Sequence, residues 1–115
     1  MTPDGFRKLA LALPGASEGE HMDHPDFRVR GKIFATIKPD PAWAVVMLTP
    51  DQQKRFVGAA PGTFVSVPGG WGRKGATQIL LKSVRPSAAR DALVVAWRNR
   101  AGDEPPLIRK NRGRA

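Results

Sequence analysis

A chain of 115 residues, 41% hydrophobic and 25% charged, has single-domain size and ordinary globular composition, so disorder of its body is excluded. It contains no cysteine, which excludes a disulfide framework, a thiolate nucleophile and a cysteine-ligated zinc site. The outlier is charge: 19 Lys and Arg against 10 Asp and Glu leave +9, a field that attracts polyanions such as nucleic acid.

Phe6, Leu9, Ala10 and Leu13 recur at helical spacing and predict an amphipathic helix stopped by Pro14-Gly15. Residues 16–25 are polar and read as a loop. Two strands follow, 27–30 and 33–38, in which Phe27/Val29 and Ile33/Ala35/Ile37 alternate with period two around Gly31. Setting both apolar groups on one face favours a three-residue connection, Arg30-Gly31-Lys32, over a two-residue turn. That register sends Arg28 and Phe34 to the other face. Beyond the turn Pro39-Asp40-Pro41, residues 43–48 form a third strand.

Thr49-Pro50-Asp51-Gln52 is a helix start: an N-cap threonine, proline at the first position, an early acid and a capping-box glutamine. This helix runs to about Ala59 and buries Phe56. Strands are expected at 64–67 and 77–82, joined by the glycine-rich loop 68–75. A closing helix spans 87–101, with Ala89, Ala92, Leu93, Ala96 and Trp97 on one stripe. The order α-β-β-β-α-β-β-α has no βαβ alternation, and predicts a two-layer α+β domain with a mostly antiparallel sheet.

The charge is unevenly placed. Residues 1–50 carry six bases and six acids, whereas residues 51–115 carry 13 bases and four acids. Four of those bases, Arg109, Lys110, Arg112 and Arg114, lie beyond Pro105-Pro106. The expected division is therefore a folded domain at 1–104 and a basic, disordered tail at 105–115. The longest apolar run, residues 42–48, is far too short to span a membrane, and the N-terminus has no secretion-signal pattern. A soluble cytoplasmic protein with no membrane partner is expected.

Several words of this sequence are specific: Leu13-Pro14-Gly15, the block from His24-Pro25-Asp26-Phe27-Arg28 through Lys32-Ile33-Phe34-Ala35-Thr36, Thr49-Pro50-Asp51-Gln52-Gln53, Trp71-Gly72-Arg73-Lys74-Gly75 and Ala96-Trp97-Arg98. In these the chain resembles the MmcQ/YjbR family of small bacterial proteins, over about residues 3–101. The resemblance implies a CyaY-like α+β fold, compared with a double-wing motif, and DNA binding. Ala76 departs from the family, in which an aromatic residue often follows the last loop glycine.

Two basic hairpins are the candidate nucleic-acid site. In the loop 68–75, glycines admit close approach, Trp71 offers a stacking surface, and Arg73 and Lys74 offer cations to phosphates. On the first hairpin Arg28, Arg30 and Lys32 form a second set, with Phe34 beside Arg28 as a further stacking ring. The competing account makes Trp71 a packing residue and the first hairpin a solvated face balanced by Asp23 and Asp26.

His21-Met22-Asp23-His24 with Asp26 has a metal-like look, yet no third histidine completes a set, and hydrogen-bonding histidines are the preferred account. No metal or cofactor is expected. Ser17, Ser66, Ser83 and Ser87 have no recognisable base partner, so the expectation is a non-enzyme. Residues 42–48 are apolar on both alternating sets, so either this is a central strand with small exposed residues or the open sheet face has a cover. The first reading is a DNA-binding protein; the second is a homodimer or protein-interaction module using that open face.

Overall fold

The structure, a computed structural model, describes residues 1–102; the expected tail at 105–115 lies outside them. Helix α1 (Pro3–Leu11) starts where Thr2 accepts a hydrogen bond from the Gly5 amide, with Pro3 in the first turn. Four strands follow, β1 (Ser17–His21), β2 (His24–Val29), β3 (Lys32–Ile37) and β4 (Trp43–Met47). Then come α2 (Pro50–Ala59), β5 (Phe64–Ser66), the short α3 (Gly70–Arg73), β6 (Ala76–Leu80) and α4 (Pro86–Ala101). The strands form one antiparallel sheet in the order β1-β2-β3-β4-β6-β5.

The α+β, two-layer expectation holds. Helix α4 packs across β2, β3 and β4, and α1 packs on α4. Phe6, Phe27, Phe34, Phe64, Ile79 and Leu93 are buried between sheet and helices. Helix α2 begins with the full capping box at Thr49 and Gln52, and stacks Phe56 on Phe64 at 5.1 Å between ring centres. Phe56 remains only half-buried.

Three local expectations are corrected. The segment read as a loop contains β1, which pairs with β2 from Ser17–Arg28 to His21–His24. Ser17–His21 is an edge strand that buries no side chain, so period-two apolarity cannot reveal it. Its turn, Met22-Asp23, has φ of 51° and 65° at both central residues, as a tight primed hairpin requires.

The β2–β3 connection is the two-residue turn Arg30-Gly31, with Val29 paired to Lys32. A bulge between the Phe27–Ala35 and Arg28–Ile33 pairs inserts Phe34 as an extra residue. Phe34 is therefore fully buried and unavailable as a stacking surface, and Ile33 moves to the open face. The bulge lets Phe34 and Ala35 both enter the core, which strict alternation forbids.

The glycine-rich connection forms the helical turn α3 instead of an extended tip. Gln53 of α2 clamps it by donating to the carbonyls of Gly72 and Ala76 at 3.1 and 3.0 Å. Gly72 is buried, and a methyl group there would overlap the Val67 carbonyl oxygen. Gly72→Ala is expected to destabilise the domain by about 1–3 kcal/mol, as overpacking does, and urea unfolding beside wild type measures it.

Candidate nucleic-acid interface

The face of the sheet opposite the helices carries a groove of about 610 Å³. Its floor comes from alternation: Val45 and Met47 of β4 are half-buried and line this face, whereas Ala44 and Val46 are buried under α4. Ile33, Val67 and Ala76 extend the apolar floor to either side. A second cavity of about 380 Å³ adjoins it, sharing Met47, Trp71, Ala76 and Arg100, and is lined also by Lys74.

At the β6 end Trp71 stands on α3 with 65% of its surface exposed, one of two large apolar side chains left in solvent among the described residues. Lys74 Nζ lies 5.7 Å from the centre of its indole. This exposure rules out a fully buried Trp71, while its place in the groove wall with Val67 and Ala76 is compatible with the competing account of partial packing over the sheet. Arg100 reaches the groove from the last turn of α4, its Nε donating to the Ile33 carbonyl at 3.0 Å. The neighbouring Asn99 ties α4 to the Met47 carbonyl and to Gln52, at 3.0 and 2.7 Å, which fixes the helix end that carries Arg100.

At the β1 end the groove is lined by His21, His24 and Arg28. Beneath them Asp26 is fully buried. It accepts from Arg28 Nε at 2.8 Å and Arg28 Nη2 at 3.0 Å, and lies 2.9 Å from His21 Nδ1. The bonds from Arg28 hold its carboxyl below the ordinary value of 3.8 against the opposing effect of burial, and His21 adds to them. Gly19 opposite leaves room for this cluster, since a Cβ there would stand 2.9 Å from Asp26 Oδ1 and 3.1 Å from Arg28 Nε. His21 and His24 face each other across the hairpin, ring centres 4.6 Å apart.

This chain matches the family model YjbR over residues 11–99. It belongs to the YjbR family. Its fold is similar to the crystal structure of Deinococcus radiodurans protein DR2400, described with the domain DUF419, at a TM-score of 0.71. That likeness covers 97% of this chain and 88% of that one at 18% identity, and it concerns the fold. No curated protein matches the sequence.

In this YjbR chain, the six residues expected from the sequence divide. Arg28, Lys32 and Trp71 line the main groove, and Lys74 lines the adjoining cavity. Arg30 and Arg73 line neither; Arg30 donates to the Ala101 carbonyl at 3.1 Å. The two hairpins thus approach one groove, but not as a row of bases, and Arg28 is already committed to Asp26. Among the described residues no helix is long and apolar enough to cross a membrane, and no group of three His, Asp or Glu is placed to hold a metal.

Arg100 had no signal in the sequence. It stands on a helix end among other bases, and only the packing of α4 distinguishes it from Arg98. His21 and Asp26 were visible as residue types, but their pairing depends on β1, which hydrophobic periodicity could not reveal.

Proposed function

We propose that this protein is a cytoplasmic, non-enzymatic DNA-binding protein that takes a single strand across the open face of its sheet. The observation that carries the reading is Trp71, exposed at one end of an apolar-floored groove whose wall holds Lys32 and Arg100, with Lys74 in the adjoining cavity. Bases stack on such a ring and on an apolar floor whatever their sequence, while the cations meet phosphates. A concave surface suits splayed bases better than a duplex, which calls for a projecting element. Both tips expected to project are held down, one as α3 under Gln53 and the other by Arg30 on α4.

Salt dependence tests this directly. Three to four phosphate contacts correspond to a slope of log K against log salt of about −2 to −3 for a single strand. Anisotropy of a labelled thymidylate oligonucleotide across a salt series is expected to show that slope, with weaker binding to the matched duplex. Absent or salt-independent binding at low ionic strength would overturn the reading.

The apolar open face of β4 favours a second reading, a docking surface for another copy or a protein partner. Sedimentation at rising concentration separates the two. A dimer that persists in high salt and with Arg73 and Lys74 both changed to Glu supports docking, whereas an oligonucleotide-binding monomer supports the first reading.

A further inference from the structure

The β1 end of the groove is built differently from its apolar floor. A fully buried carboxylate on the face of a sheet opposite its helices is costly, and here it orients two side chains at once. Asp26 engages His21 through Nδ1 and Arg28 through Nε and Nη2. His21 Nε2 and Arg28 Nη1 are the atoms left over, and neither has a hydrogen-bond partner among the described residues. Both side chains line the groove, as does His24, whose buried Nδ1 has no partner among them either. The nearby acid Asp23 lines a different depression, beside Pro39 and Pro41.

We infer that His21 and Arg28, held in place by Asp26, form a phosphate subsite at the β1 end of the groove. Asp26 is the positioning residue: it pairs with the single positive charge of Arg28, fixes the guanidinium plane and sets the histidine tautomer. Arg28 Nη1 donates to one phosphate oxygen. His21 Nε2 meets a second, accepting from the P–OH of a monoester when neutral and donating to a monoester or a diester oxygen when charged. The phosphate is that of a nucleic-acid strand, either a terminal monoester or an internal diester; this assignment of source rests on the strand reading, whereas the subsite itself does not.

Inorganic phosphate is the first probe. Titration into the wild-type chain is expected to shift the His21 and His24 ring nitrogens and the Arg28 side-chain N–H signals saturably, and His21→Gln to abolish the response at Arg28. No shift, or the same shift at Arg28 in His21→Gln, overturns the subsite. The second probe is a thymidylate hexamer with and without a 5′-phosphate. A several-fold gain in affinity from the 5′-phosphate, absent in His21→Gln, identifies the monoester; equal weakening of both hexamers by His21→Gln identifies the diester. Phosphate shifts without hexamer binding would leave the subsite and overturn the strand reading. Hexamer binding with silent His21 and Arg28 signals would do the reverse.

Discussion

Trp71→Ala is expected to weaken binding of a thymidylate oligonucleotide by about 5- to 150-fold, the ~1–3 kcal/mol of one base–aromatic stack. The indole is 65% exposed, and its helical turn is held by the Gln53 clamp and buried Gly72, neither of which involves the ring. The thermal unfolding midpoint should therefore stay at the wild-type value. Trp71→Phe should keep much of the affinity because a flat ring remains. Lys74→Ala removes a cation 5.7 Å from the indole centre and should cost less than the ring. Anisotropy and thermal melts on the same preparations check all three, and unchanged affinity in Trp71→Ala would remove Trp71 from the interface.

Asp26→Asn is expected to destabilise the domain by about 2–3 kcal/mol near neutral pH, since it breaks a buried, doubly bonded charge pair. Arg28 keeps 38% of its side chain exposed and can turn to water, which holds the cost below that of a fully buried pair. The sign with pH follows from the lowered carboxyl. The ionised group stabilises the folded state above its unfolded value near 3.8, and that contribution disappears as pH falls through the lower folded value. The stability gap between wild type and Asp26→Asn should thus be full above about pH 5 and shrink steadily below it. Urea unfolding of both proteins from neutral to strongly acid pH measures the gap. A gap that stayed constant would place the effect in lost packing and not in charge.

Much of the fold was legible because its signals are local. The Thr49 to Gln52 capping box is formed as its spacing requires, α1, α4 and the first two apolar strands follow from periodicity, and β4 follows from its continuous apolar run. Leu13-Pro14-Gly15 and Ala96-Trp97-Arg98 find a shared reason: Trp97 Nε1 donates to the Pro14 carbonyl at 2.8 Å, 83 residues away in the chain. The misses have equally physical causes. Edge strand β1 buries nothing, the Phe34 bulge breaks alternation to gain core volume, and α3 is short enough that its glycines read as a turn.

For the site, the residue types were readable and their grouping was not. The net charge of +9 is a property of the sequence, yet most of the described bases are spread over α2, the start of α4 and other exposed positions. The sequence by itself determined an α+β domain, its principal helices and strands, its family resemblance, and a basic and aromatic inventory with no cysteine chemistry. Only the tertiary structure decided that Trp71, Lys32 and Arg100 share one groove and that Asp26 lies buried beneath Arg28 and His21. The reason is that helix caps and periodicity act over a few residues, whereas the groove depends on strand order, the bulge and the docking of α4. These bring together residues separated by up to most of the chain.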